Sequence, residues 1–247
     1  MPNPTAAMLV IGDEILAGRT RDANLAHLAV SLSEKGIDLR EARVIPDVED
    51  EIVAALDHLR ARYTHVFTSG GIGPTHDDVT ADAVARALDV PLAVREDARA
   101  ILASHYADTP HVLNEARLRM ARVPRGAVLI ENPISRAPGF SIDNVHVMAG
   151  VPEIFAAMLD GLLARLTGGR PLLSETVHVP LVEGEVAGPL RRLVDAHPDV
   201  SIGSYPFHRV GEIGCTLVLR SQDRDALAAA RTDLDRMLAD IRTGPDD

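Results

Sequence analysis

Short apolar runs and longer stretches of helical periodicity alternate along roughly the first 165 residues. Residues 6–11 predict a strand. Over 24–35 the apolar Leu25, Leu28, Ala29 and Leu32 recur at helical spacing, and Gly36 suits the position just past a helix end. Residues 39–45 predict a strand, 48–62 a helix and 65–69 a buried strand. Helices are expected over 79–88, 98–106 and 113–122. Residues 128–130 return to strand, a hairpin turns at Asp143-Asn144, and 152–166 close the series as a helix. Strands separated by helices of this length require parallel crossovers, which predicts a three-layer α/β/α domain with a mostly parallel sheet over residues 1–168. Ligands of such sheets bind beyond the carboxyl ends of the strands.

Thr167-Gly168-Gly169-Arg170-Pro171 breaks the pattern and reads as a linker. Beyond it a strand (174–182), a helix (186–196), two strands (200–205 and 215–220) and a helix (226–241) predict a small α+β domain over 172–247, whose last four residues are expected to fray.

Composition narrows the picture. The 247 residues are 46% hydrophobic and 25% charged, as in globular proteins. Aromatics make up 3% and Trp is absent, so the core must be built from Ala, Val, Leu and Ile. Lys35 is the only lysine among 25 basic residues, which reflects base-composition bias rather than function. A formal charge of −11 argues against sequence-independent DNA binding and against an anionic membrane surface. The small domain holds thirteen acids against eight bases, a balance of −5, which argues against RNA as well. The single Cys215 excludes an intramolecular disulfide and a cysteine zinc site, and the ten histidines form no HExxH pair. The apolar run 6–11 follows no basic segment and meets Asp13-Glu14, unlike a signal peptide, and no window is apolar enough to span a membrane. A reduced, cytoplasmic protein is expected.

The strongest local signal runs from Thr68 to Asp78, TSGGIGPTHDD. A strand ends in Gly70, Gly71 and Gly73, and a helix follows two acids. Such a turn lets backbone N–H groups converge on a phosphate, and Asp77 and Asp78 beside it would need a divalent cation or act as a base. The opposing reading is a tight turn with Thr75 and Asp78 as a capping box. The segment is neither a P-loop nor a dinucleotide fingerprint. Asp47 ends the second strand; it is either a helix N-cap or a second rim carboxylate for acid–base or metal chemistry with Asp78. Gly12, Asp13 and Glu14 follow the first strand, with Asp22 and Asn24 beyond. Arg136 is the one cation of the loop 132–140, and Gly150-Val151-Pro152-Glu153 enters the last helix of the first domain.

These segments resemble the MoaB/Mog molybdopterin-binding domain family: Gly12-Asp13-Glu14-Ile15-Leu16 with Asn24, Val44-Ile45-Pro46-Asp47, Ser69 through Thr80, Ala137-Pro138-Gly139-Phe140 and Gly150-Val151-Pro152-Glu153. They are more similar to the branch holding the N-terminal part of competence/damage-inducible protein A (CinA) and the molybdopterin-binding-like domain of FAD synthase. Ile72, where the molybdenum-cofactor branch usually has Thr, favours that branch, and Ser135-Arg136 stands where Gly-Thr is common. The resemblance covers about residues 5–165 and continues more weakly through Ser201-Ile202-Gly203-Ser204-Tyr205-Pro206 into a unit that is KH-like in that branch, here without a GxxG loop.

The resemblance implies a divalent-metal-dependent nucleotide pyrophosphatase of ADP-ribose or FAD type, working with Mg²⁺, Mn²⁺ or Co²⁺. Asp47 and Asp78 would be catalytic and, with Asp77, hold the metal. Gly12, Asp13, Glu14, Asn24, Ser69, Gly70, Gly71, Gly73, Pro74, Thr75, Pro138, Gly139, Gly150, Pro152 and Glu153 would bind the pterin or nucleotide phosphate. The alternatives are a non-catalytic molybdopterin-binding protein and a molybdopterin adenylyltransferase-like protein. A homo-oligomer is expected. The nicotinamide mononucleotide deamidase domain of full-length CinA and the FAD-forming domain of FAD synthase find no counterpart in the chain, so neither activity is expected of it.

Overall fold

In the computed structural model, which describes residues 2–107, 109–209 and 212–243, the chain divides after Gly169 into two compact units. The first runs β1 (Thr5–Ile11), α1 (Asp13–Leu16), α2 (Asn24–Lys35), β2 (Asp38–Ile45), α3 (Glu49–Arg60), β3 (His65–Ser69), α4 (Thr80–Ala87), β4 (Leu92–Val94), α5 (Glu96–Ala107), α6 (Glu115–Leu118), β5 (Arg122–Pro124), β6 (Val128–Ile130), β7 (Gly139–Ile142), β8 (Val145–Met148) and α7 (Pro152–Leu163). Its six-stranded sheet has the order β2-β1-β3-β8-β7-β6. The β1–β2, β1–β3 and β3–β8 pairs are parallel; β8–β7 and β7–β6 are antiparallel.

Alternate residues of β1 explain the layers. Ala7, Leu9 and Ile11 face one apolar cluster with Ile52, Leu56 and Leu59 of α3, Val84 of α4 and Leu102 of α5. Ala6, Met8 and Val10 face the other, with Leu28 and Leu32 of α2 and Phe155, Met158 and Leu159 of α7. A strand buried on both faces reads as a continuous apolar run, which is why 6–11 is legible in the sequence. Truncating one fully buried leucine such as Leu56 to Ala would cost about 2–5 kcal/mol.

Within the expected helix over 113–122, α6 and a 3₁₀ turn over Arg119–Ala121 are helical, and only Arg122 already belongs to strand β5. Asn114 caps α6 by accepting the Arg117 N–H (3.0 Å), and Val123 is buried opposite Ala93 in the β4–β5 pair. Pairing of Arg122 with Val94 thus ends the helical stretch. Strand β4 itself is three residues long, too short to declare a period.

The second unit runs β9 (Leu173–Val179), α8 (Glu183–Ala196), β10 (Ser201–Arg209), β11 (Glu212–Ser221) and α9 (Arg224–Thr243). Its antiparallel sheet has the order β10-β11-β9. Val186 and Leu193 of α8 and Leu227, Leu234 and Leu238 of α9 pack on Val179, Cys215, Leu217 and Leu219. Strand β10 extends four residues past its expected end because it is an edge strand, where the missing N–H of Pro206 costs no ladder bond. The frayed end expected at 244–247 lies outside the described residues.

Candidate functional site: three loops at the carboxyl rim of the first sheet

Strands β2, β1 and β3 are neighbours, so the loops leaving their carboxyl ends meet. The Gly12 N–H bonds to Ile45 O at the end of β2 (3.1 Å). From the next loop, Asp47 Oδ2 accepts the Asp13 N–H (2.8 Å). Helix α3 is capped at Val48 without a side-chain bond, so Asp47 does not cap its own helix; it joins two loops. Burial pushes the Asp47 carboxyl above the usual carboxylate range. The Asp13 N–H opposes that shift, and the charges of Glu14, Asp13 and Asp77 add to it. Among the described residues Asp13, Glu14 and Asp47 have no ion-pair partner. Glu14 folds back over Gly12, where a Cβ would lie 2.6 Å from its carboxylate.

The glycine loop is fixed by backbone approach. Gly70 and Gly71 take φ of 105° and 67°, in the left-handed region that glycine alone enters freely. A Cβ on Gly70 would lie 2.2 Å from Ile11 O, and one on Gly71 would lie 2.2 Å from Thr80 Oγ1. Buried Thr80, the first residue of α4, donates its hydroxyl to Gly70 O (3.0 Å) and its N–H to Gly71 O (3.0 Å). The Gly70 N–H is taken by Met148 O (3.2 Å). The N–H groups of Gly71, Ile72 and Gly73 have no acceptor among the described residues. Three successive donors left over beside a helix start are what an anion-binding loop requires.

Asp78 closes the loop on itself: its Oδ2 accepts both the Thr75 N–H (2.8 Å) and the Thr75 hydroxyl. Because α4 begins at Thr80 with Val79 as its cap, this is a turn before the helix rather than a capping box. The Thr75 hydroxyl also lies near Asp77; it is the chief influence holding that carboxyl below the ordinary range, helped by the Asp77 N–H and by His76. His76 is 99% exposed. It is the Asp77 charge, from this third loop, that acts on Asp47. Among the described residues Asp47 and Asp78 share no hydrogen bond; Oδ2 of Asp78 serves its own turn.

Asn24 is 4% exposed and donates through Nδ2 to Ser69 Oγ (2.7 Å) and Gly150 O (2.8 Å), tying the ends of β3 and β8 to α2. A Cβ on Gly150 would lie 3.3 Å from Gly70 Cα. Pro152 opens α7, and Glu153 is exposed in its first turn. Pro138 and Gly139 are buried, and a Cβ on Gly139 would lie 2.2 Å from Val147 O, so that glycine serves strand packing. Pro74 is exposed at the tip of the loop. Arg136, at φ 63°, lines a cavity of about 760 Å³ with Ser104, His105 and Thr109; neither the glycine loop nor Asp47 contributes to that cavity.

Thr80, Arg119 and Arg122 were not among the residues singled out from sequence. Arg119 donates to Asp78 O (3.1 Å), Arg122 pairs with Asp82, and both line a crevice of about 20 Å³ with Gly71, Ile72, Gly73 and Asp78. That is room for about one water. The only sequence signal for them is two arginines three apart in a segment read as helix. No set of three or more His, Cys, Asp or Glu side chains among the described residues could hold a metal ion. Asp47 and Asp78 each give Oδ2 to a loop donor, and Oδ1 of each has no hydrogen-bond partner among the described residues.

Residues 7–169 match the family described as a probable molybdopterin binding domain, and residues 171–246 match the one described as the middle domain of FAD synthase. A Pyrococcus furiosus protein is 31% identical over 238 residues, covering 91% of this chain and 93% of its own. A CinA-like protein of Desulfosudis oleivorans is 36% identical over 174 residues, covering 67% of this chain and 42% of its own. The crystal structure of CinA from Thermoplasma acidophilum, a protein described there as of unknown function, superposes with a TM-score of 0.58 at 34% identity, covering 64% of this chain and 96% of that one.

Proposed function

The chain belongs to the molybdopterin-binding domain family, and on that premise we propose that the rim of its first sheet binds a small phosphorylated ligand of pterin or nucleotide type and hydrolyses a nucleotide pyrophosphate bond. The observation that carries the reading is the row of unclaimed N–H groups at Gly71, Ile72 and Gly73, in a loop that Thr80 immobilises, next to the raised carboxyl of Asp47. The N–H groups take the phosphate oxygens. Asp47, held through Oδ2 by the Asp13 N–H, accepts at its other oxygen the proton of the attacking water. The water oxygen bonds to phosphorus, the bridging P–O bond breaks, and ADP-ribose would yield AMP and ribose phosphate. Asp78 and Thr75 hold the shape of the loop, and Asn24 holds its base.

Asp13, Glu14 and Asp77 would repel a bare pyrophosphate. A divalent cation therefore enters with the ligand as its counter-ion, and Asp47, Asp77 and Asp78 would share its coordination with the phosphate oxygens. The test is release of AMP from ADP-ribose and FAD with Mg²⁺, Mn²⁺ or Co²⁺. Product above a metal-free control supports the reading, and none across the panel overturns it.

A second reading, binding of a molybdopterin-type ligand without turnover, is favoured by the two bonds that hold Asp78 to Thr75 within its own turn, against the one that holds Asp47 to Asp13. Calorimetry showing pterin affinity without AMP release would select it. Light scattering on the same preparation tests the homo-oligomer expected from the family resemblance.

A further inference from the structure

Helices α8 and α9 cover one face of the second unit's sheet, and the opposite face carries an unusual share of the chain's rings. Register and strand alternation place Tyr205, Phe207 and Arg209 of β10, Gly214, Thr216 and Arg220 of β11, and Thr176 and His178 of β9 on that face. The whole chain has only three Tyr, four Phe and no Trp, yet two of these seven stand side by side here. Both lie down on glycines. A Cβ on Gly203 would meet the Tyr205 ring at 3.0 Å, and one on Gly214 would meet the Phe207 ring at 2.8 Å. Phe207 meets His178 edge-on, with centroids 6.3 Å apart, and His178 is fixed by Thr216 Oγ1 at 2.9 Å. The Arg209 guanidinium sits over the Phe207 ring at 5.2 Å from its centroid. Tyr205 remains 50% exposed.

Apolar rings laid flat and left open are costly on a surface unless something planar covers them. Charge says what kind of thing. This face carries Arg209 and Arg220 against the single acid Glu212, which stands opposite Arg209 in the register, in a unit whose balance is −5. We propose that it is a second binding site, separate from the carboxyl rim, for a free nucleotide: a planar heteroaromatic ring stacks on Tyr205 and the Phe207–Arg209 pair, and its phosphate is taken by Arg209 or Arg220. Ring faces bind ring faces with little sequence preference, and Arg adds a cation–π contribution. A long polyanion is disfavoured by the chain's charge of −11, which a mono- or dinucleotide feels far less.

The inference does not depend on rim hydrolysis. The test titrates flavin mononucleotide, whose own fluorescence is quenched when its ring stacks, into the full chain at fixed salt. Saturable quenching is expected. Tyr205→Ala weakens Kd by at least about tenfold, whereas Tyr205→Phe retains it. Arg209→Ala weakens Kd and flattens its salt dependence, and Asp47→Asn at the rim leaves it unchanged. Circular dichroism melts verify that each variant folds; should Tyr205→Ala fail to fold, Arg209→Ala and Asp47→Asn decide. The proposal is overturned by absence of quenching, by quenching that survives both Tyr205→Ala and Arg209→Ala, by its loss in Asp47→Asn, or by an eight-nucleotide single-stranded RNA that binds more tightly than the mononucleotide. AMP release, measured separately, keeps failure here distinct from failure at the rim.

Discussion

Strand β3 is polar at both ends, and the two ends behave oppositely. At its start, His65 Nδ1 lies 3.1 Å from Nε2 of buried His146, whose Nδ1 lies 2.9 Å from Ser141 Oγ. The Phe67 ring packs 5.0 Å from the His146 ring. Burial, aided by His65 and Arg165, lowers the His146 pKa to about 3. Both ring nitrogens of His146 have partners, and the ring stays neutral. At the other end Ser69 is satisfied by Asn24, but the three following N–H donors from Gly71 to Gly73 are not, and the acids across the rim have no cation. Satisfied polar groups in an interior are architecture, while donors and charges left over at the carboxyl ends of parallel strands mark where a ligand completes the structure.

The largest test of that contrast is Gly70→Ala. Its Cβ would meet backbone, Ile11 O, at 2.2 Å with φ at 105°, and neither side can yield. The expected loss is more than about 3 kcal/mol in chemical denaturation. A stable Gly70→Ala that still binds ligand would break the claim that backbone approach fixes the loop. Gly73→Ala sharpens it, because there the new methyl meets a side chain rather than backbone, the Asp78 carboxylate at 2.6 Å, which can yield only by giving up its bonds from Thr75. Its cost should be smaller than that of Gly70→Ala, about 1–2 kcal/mol for the bonds lost.

Asp47→Asn comes next. The amide oxygen can still accept the Asp13 N–H, so melting should be unchanged. Turnover should fall on the order of 100-fold, about 2.7 kcal/mol of barrier, because the proton acceptor is gone. Full activity would reduce Asp47 to a tie between loops.

The closed end of β3 predicts an acid liability. His146 is lowered to about 3 in the fold against about 6.5 unfolded, so between those values the unfolded chain binds a proton that the fold refuses. Stability is therefore complete above pH ~6.5 and falls as the pH drops, by roughly 2 kcal/mol at pH 5. Urea titrations at pH 7 and 5 measure it, and His146→Gln should flatten the difference. The smallest effect belongs to His76→Ala. The ring is 99% exposed beside Asp77, and both stability and turnover should stay within about 0.5 kcal/mol of the parent.

How much of this was legible beforehand follows from what each signal depends on. Strands β1 and β3 and helix α2 were readable because burial on both faces, or on one helical stripe, imposes a period on the residues themselves. The helix expected over 113–122 stops at Ala121 because Arg122 pairs with Val94, a partner twenty-eight residues away that no local period announces. The glycine loop stood out because only glycine can occupy positions 70 and 71. The tie from Asp47 to Asp13 could not be read, since N-capping and bridging use the same residue at the same place. Thr80, which locks the loop, looks in sequence like any helix-start threonine.

On the proposed reading, the unclaimed donors of the glycine loop receive the ligand's phosphate. The direct measurement follows the backbone amide resonances of isotope-labelled full-length chain as ADP-ribose is added. The account predicts that the Gly71, Ile72 and Gly73 amides shift together along one saturating curve, while His146 and its neighbours at the far end of β3 stay in place. A saturating curve carried by other residues with those three amides unmoved, or no saturation at all, would contradict it.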